Sequence, residues 1–308
     1  MNPVGLSTTV TLGNAREIAR WQWHVGEAGD PARLIEDFLA DFGLILGGTA
    51  RRSRVYGASL LVSAAAGARM IGGAVGAPSP APSVPDVAVV VYGRAPAPEA
   101  EPAQGRWLLG PWEPSWTRQQ HADAVEQVRA AIARGDVYQV NVVGHASAPY
   151  EGDPAAALHR LTRLPGARYG GVLGGEGWGI ACASPETLIS VRDGKLVTRP
   201  IKGTAPATAQ GRADLRASPK ERAEHVMIVD LARNDLAHVA VTGSVRVPNL
   251  FTVRQWSNLW QAESDVEARL RPDVGLASLL RAVCPGGSVT GAPKLAALAE
   301  IARLEPVG

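Results

Sequence analysis

Residues 169–204, YGGVLGGEGWGIACASPETLISVRDGKLVTRPIKGT, constrain the fold more than any other stretch. Apolar runs of strand length alternate there with short glycine-rich turns, and Arg192-Asp193-Gly194 reads as a hairpin turn. Helical segments lie on either side. SWTRQQHADAVEQVRAAIARG (115–135) predicts a capped amphipathic helix that stops at Gly135. SPKERAEHVMIVDLARNDLA (218–237) predicts another, with Ser218 as N-cap, Pro219 behind it and Glu221 in the capping-box position. PGGSVTGAPKLAALAEIARL (285–304) reads as a glycine-rich loop running into a helix near Pro293. Runs of strands interrupted by helices, without strict βαβ alternation, point to an α+β chain.

The N-terminal third is plainer. DPARLIEDFLADFG (30–43) carries Leu34, Ile35, Phe38 and Leu39 at helical spacing, with Gly43 as a stop. ASLLVSAAAGARM (58–70) reads as a buried strand followed by a looser segment. DVAVVVYG (86–93) is a strand among seven prolines between 78 and 102, a density that suits loops around an edge strand or a boundary. DVYQVNVVGHAS (136–147) reads as a further strand. The expected division is residues 1–110, with no recognisable chemistry, and residues 111–308, which hold every motif.

Composition excludes several classes of function. At 308 residues, 46% hydrophobic and 19% charged, the chain can bury a substantial core. A net charge of +2 without a dense Lys/Arg stripe argues against nucleic acid as a partner. Cys182 and Cys284 form no CxxC pair, so neither a disulfide framework nor a zinc site is expected. No stretch is apolar enough to span a membrane and MNPVGLSTTV lacks a basic region followed by an apolar run, so the expectation is a cytoplasmic protein without a signal peptide.

Four features could carry chemistry. Glu221 and Glu224 share one helix face, beside His225, and could hold Mg²⁺, which takes hard oxygen ligands and keeps its waters. A solvated face, with Glu221 serving the cap, is the alternative. The loop 286–294 could present backbone N–H groups to an anion, or could be a plain junction. Glu186 follows a Ser-Pro turn and could act as a general acid if buried, or be an ordinary surface glutamate. Lys202 could be a desolvated nucleophile or a surface lysine.

Taken together, YQVN (138–141), SPE (184–186), RPIKGT (199–204), AEHVMIVDLARNDL (223–236) and PGGSVTGAPK (285–294) resemble, in this order, the chorismate-utilising enzyme family over roughly residues 115–306. That family includes anthranilate, isochorismate, salicylate and aminodeoxychorismate synthases. The resemblance implies a four-layer α/β/β/α sandwich with two large, mostly antiparallel sheets. It further implies a Mg²⁺-dependent reaction on chorismate. Lysine in P-I-K-G-T, where anthranilate synthases carry alanine, resembles the branch that aminates chorismate at C4. Gln139 stands where the water-adding members carry a lysine base, which favours ammonia over water. By the same resemblance Lys202 attacks C2 and Glu186 protonates the departing hydroxyl. Glu221 and Glu224 hold the metal. Gln139, Thr204, Gly286, Gly287, Ser288, Thr290 and Lys294 line the substrate. A glutamine amidotransferase subunit supplies the ammonia.

Two departures from the family pattern stand out. Gln261 occupies the position of a usual histidine, in WSNLWQAES (256–264). The chain also stops at EIARLEPVG, before the segments that in the family supply a tyrosine, an arginine and further metal-binding glutamates. The expectation is therefore a C-terminally incomplete sandwich. Anthranilate synthesis, or binding without turnover, are the rival outcomes.

Overall fold

The computed structural model describes residues 15–47, 55–94, 106–165 and 167–307. Its first part is built from β1 (Ala15–Trp23), α1 (Pro31–Asp41), β2 (Val55–Val62), α2 (Ala64–Met70) and β3 (Val87–Arg94). The three strands form an antiparallel sheet in the order β1-β3-β2. The strand expected at an edge is thus the central one. Val87–Gly93 is buried throughout, as a continuous apolar run on a two-sided sheet requires. The prolines at 78–85 precede β3 and remove no bond from its ladder. The segment expected to be loose after β2 is the helix α2. Ser63 caps it by accepting from the Ala66 N–H at 3.0 Å. Its small side chains let it pack closely, and a Cβ on Gly67 would come within 3.0 Å of the Pro285 nitrogen.

The middle of the chain holds β4 (Trp107–Leu109), β5 (Glu113–Pro114), α3 (Arg118–Arg134), β6 (Gln139–Val140), β7 (Ala146–Ser147), β8 (Tyr150–Gly152), α4 (Ala155–Leu161), β9 (Tyr169–Gly175) and β10 (Trp178–Ser184). The capping box forms on α3, with Thr117 Oγ1 accepting from the Gln120 N–H and Gln120 Oε1 from the Thr117 N–H. Gly135 ends that helix in the left-handed region, at φ 83°. The strand expected over 136–147 is reduced to β6 and β7, two residues each.

The main sheet comes last. It uses β11 (Thr187–Arg192), β12 (Lys195–Arg199), β13 (Ile201–Pro206), β14 (Arg246–Trp256) and β15 (Leu259–Arg269), interleaved with α5 (Ala209–Ala217) and α6 (Pro219–Ala237). Then follow α7 (Leu276–Val283), β16 (Gly291–Ala292), which pairs with β6, and α8 (Lys294–Leu304). The hairpin at Asp193-Gly194 has both central residues at positive φ, 50° and 73°, and joins β11 to β12. Along one edge of β15 run β12 and then β13, and along the other runs β14. Every strand pair named here is antiparallel.

Helices cover one face of each sheet. Val87, Val89 and Val91 of β3 share a core with Trp23 and with Ile35 of α1, while Val90 and Tyr92 meet Leu173 of β9 on the opposite face. In the main sheet, Ala262, Ser264 and Val266 of β15 face α5 and α6. Glu263, between them, faces Arg168 at the start of β9. One core runs from Trp23 and Ile35 through Leu280 and Leu236 to Leu196 and Val266. This core draws on residues from both sides of residue 110. Leu236 of α6 is fully buried in this core. Leu236→Ala should lower unfolding stability by about 2–5 kcal/mol, read from urea titrations.

Candidate active site

The site begins where α6 crosses β13. Gly203 of β13 has φ 88°, and a Cβ there would lie 2.9 Å from Leu215 Cδ1 and 3.1 Å from Glu221 Oε2. Glu221 is thus turned against the strand at Gly203, the residue that follows Lys202. Its capping role is only half a box. Ser218 Oγ accepts from the Glu221 N–H at 3.2 Å, but the Ser218 N–H is already donated to Asp214 O at 2.9 Å. The Glu221 carboxylate has no cap donor to serve. One turn on, Glu224 Oε1 lies 3.5 Å from Lys202 Nζ, both side chains half-buried. Three-residue spacing on a helix delivers both carboxylates to neighbouring residues of one strand.

His225 fixes that crossing. Its ring is fully buried, and both nitrogens are used. Nδ1–H donates to the Lys202 carbonyl at 3.2 Å, and Nε2 accepts from Ser264 Oγ at 2.6 Å. Ser264 Oγ accepts in turn from the Phe251 N–H at 2.8 Å. A carbonyl can only accept, so the imidazole is held in its neutral Nδ1–H form. Burial pushes its pKa below the usual value, against a smaller upward pull from the Lys202 carbonyl.

Glu186 approaches from the end of β10. Its Oε1 accepts from Ser288 Oγ at 3.1 Å, which joins it to the glycine-rich loop. Burial raises its pKa most. The Ser288 hydroxyl, the Ile201 backbone and the Lys202 charge work against that, and Glu263 adds to it. A cavity of about 40 Å³ lies beside it, lined by Glu186, Thr198, Leu231, Asp235, Gly286, Gly287 and Ser288 among others. That is room for a few waters or one small group.

The remaining expected residues fall into two sets. Gly286, Gly287 and Ser288 line the cavity. Thr204 is exposed on β13, opposite Gln261 of β15. Gln139 pairs with Ala292, and its Oε1 is buried without a hydrogen-bond partner. Thr290 and Lys294 have partners inside the protein. Thr290 Oγ1 donates to Gly286 O at 3.0 Å, so the hydroxyl closes its own loop. Lys294 Nζ donates to Asp235 Oδ2 at 2.9 Å and to Ala282 O at 3.4 Å, with both ion-pair side chains only 13% exposed. In this structure its ammonium belongs to an internal ion pair.

Four groups escaped sequence reasoning: Ser264, Asp235, Arg168 and Glu263. Glu263 is 1% exposed, with Arg254 Nε at 3.4 Å and Arg168 Nη1 at 3.5 Å. Arg168 in turn lies over the Trp256 ring at 4.0 Å. A readable signal existed: Glu263, Asp265 and Glu267 alternate along β15, which marks a charged strand face.

Glu221 and Glu224 form the donor set expected for Mg²⁺. Among the described residues no group of three or more His, Cys, Asp or Glu could hold a metal ion. Two hard carboxylates, leaving most positions to water and substrate oxygen, fit Mg²⁺ better than a metal that needs an all-protein cage.

Residues 79–308 match the family described as chorismate binding enzyme. The chain is 42% identical over 205 residues to aminodeoxychorismate synthase component 1 of Klebsiella aerogenes, across 65% of this chain and 46% of that protein. It is 39% identical over 211 residues to the protein of the same name from Escherichia coli, across 67% and 47%. Anthranilate synthase component 1 of Aquifex aeolicus is 36% identical over 203 residues, across 63% and 40%. The chain thus spans about half the length of the curated relatives it matches. Its fold is similar to that of anthranilate synthase component I from Streptococcus pneumoniae, with a TM-score of 0.73 at 23% identity, over 100% of this chain and 76% of that one. No helix among the described residues is long and apolar enough to cross a membrane.

The raised pKa of Glu186 has a consequence for stability. The folded protein holds this proton more tightly than the unfolded chain. Stability from this group is therefore complete below the ordinary carboxylate pKa and is lost as pH rises through the folded value. Glu186→Gln should accordingly be more stable than the parent at neutral pH. The gain should vanish below about pH 4, near the ordinary carboxylate pKa, in urea titrations across pH.

Proposed function

The chain belongs to the chorismate binding enzyme family, and from that premise we propose that its site serves the amination of chorismate to 4-amino-4-deoxychorismate. The observation that carries this reading is Lys202, in Pro200-Ile201-Lys202-Gly203-Thr204, held by His225 with its amine beside Glu224 of α6, while Glu221 lies against the adjoining Gly203. Relatives named aminodeoxychorismate synthase component 1, at 39–42% identity, support it.

Chorismate is a dianion, and Glu221 and Glu224 alone would repel it. Mg²⁺, held by those two carboxylates, would clamp a substrate carboxylate and draw electron density from the conjugated ring. The protein's own groups do the rest. The lone pair of Lys202 Nζ forms a bond to C2 while the C4 hydroxyl departs. Glu186 gives that hydroxyl its proton, so that water leaves. The raised pKa of Glu186 suits a donor that must reach the reaction still protonated. Ammonia then bonds to C4 and Lys202 is expelled from C2, which regenerates the amine, and the proton shed by the new C4 ammonium returns to Glu186. The sum is chorismate plus ammonia to aminodeoxychorismate plus water. Gln139, with no basic group, offers nothing to activate water for the competing addition. The ammonia is taken to come from a glutamine amidotransferase partner.

The chain, incubated with chorismate, Mg²⁺ and ammonium at mildly alkaline pH, should yield aminodeoxychorismate by mass spectrometry. Lys202→Ala should abolish it, and Glu186→Gln should slow it by about 10²–10⁴-fold. Anthranilate as the product, or undiminished amination by Lys202→Ala, would overturn the reading. Unchanged chorismate from a folded sample would show that residues 1–308 do not suffice for turnover.

A further inference from the structure

Lys294 touches both ends of the loop that carries Ser288. It is the first residue of α8, just after the loop, and it donates to Ala282 O in the last turn of α7, just before it. The same ammonium is anchored to α6 through Asp235 at 2.9 Å. The middle of the loop rests on α6 too, since a Cβ on Gly287 would run into the Leu231 side chain. Thr290 Oγ1 closes the loop on Gly286 O. Ser288 is left facing Glu186.

We propose that the Asp235–Lys294 pair is a positioning device, which ties loop 284–293 to α6 and thereby sets the reach of Ser288 to Glu186. The proposal rests on Glu186 being the acid of the reaction above. A buried ion pair is a poor source of stability, because desolvation offsets its attraction, and its better use is to specify one arrangement. Here the neighbours Val283, Leu236 and Ala282 are buried apolar residues, among which an apolar side chain would pack equally well. What only a charged pair supplies is a directed link between three helices.

The test reads Glu186 in the full chain without substrate, by carboxyl-carbon NMR of ¹³C-labelled glutamate across pH. The charged groups acting on Glu186, Lys202 and Glu263, stay in place in every variant. The Ser288 bond favours the carboxylate, so Ser288→Ala should raise the Glu186 midpoint. Lys294→Met should raise it similarly, and the double variant should rise no further than Ser288→Ala alone. A direct field from Lys294 would instead add its full shift in the Ser288→Ala background. Lys294→Arg, which keeps charge and donors, should restore the parent midpoint. Asp235→Asn serves if Lys294→Met does not fold. Through the loop it raises the midpoint, whereas the mere loss of a nearby negative charge would lower it. The proposal is overturned if Lys294→Met leaves the midpoint in place, or if the two shifts add. It is equally overturned if Lys294→Met only weakens chorismate binding with Mg²⁺, which would return Lys294 to the substrate. Since no chorismate is present in the titration, anthranilate as the product in the turnover assay would sink the amination reading and leave this coupling standing.

Discussion

The seating of α6 across β13 and β15 through His225 is the constraint on which the rest of the site depends. A fully buried imidazole must have both nitrogens partnered, because an unpartnered buried polar group costs about 1–3 kcal/mol. Here the partners are the backbone of Lys202 and the side chain of Ser264. The helix can therefore sit in one rotation and one register over the sheet. That rotation places Glu221 against Gly203 and Glu224 beside Lys202. The amine and both carboxylates are positioned by a single clasp, so the chemistry inherits its geometry from a packing requirement.

Charge is distributed around this clasp by burial more than by pairing. Glu186 is raised chiefly by desolvation, although Lys202 and Ser288 oppose it. Asp235 is raised for the same first reason, although Lys294 lies 2.9 Å away. Asp265, as buried as Asp235, ends below its usual value because Asn249 and Arg199 outweigh its desolvation. The opposite faces of β15 therefore play different parts. The face toward α6 carries Ser264 among apolar residues and holds the helix. The other carries Glu263 and Asp265 among Arg168, Arg254 and Arg199, and forms a charged interior between the main sheet and β9.

Much of this was legible in the sequence, and what was missed has a common cause. Local signals came through: the cap at Ser218, the helix stop at Gly135 and the hairpin at Asp193-Gly194 depend on a few adjacent residues. So did the order of strands and helices. Lys202 and Glu224 lie together as well. The position of β3 was not legible, because prolines outside a strand say nothing about which neighbours it pairs with. The helix α2 was hidden because an Ala/Gly run has no apolar stripe to read, only small size. The partners of Ser264, Asp235 and Glu263 were invisible for a further reason, although alternation along β15 marked Glu263 as part of a charged face. Those partners lie 39, 59 and 95 residues away, and no window along the chain contains both ends of such a contact.

Those distant contacts also change how motif residues should be read. Glycines in a loop before a helix suggest open backbone for a ligand, and two of the glycines here act otherwise. Gly203 has no room for a Cβ because Leu215 and Glu221 approach it, and Gly287 has none because of Leu231. Leu215 belongs to α5, and Glu221 and Leu231 to α6. These glycines let the helices come close enough for their carboxylates to reach the lysine and for the loop to reach Glu186. Lys294 and Thr290 follow the same logic: their polar groups point back into the protein. In this site the residues that touch the chemistry are few, and much of the motif around them exists to bring one helix within reach of one strand.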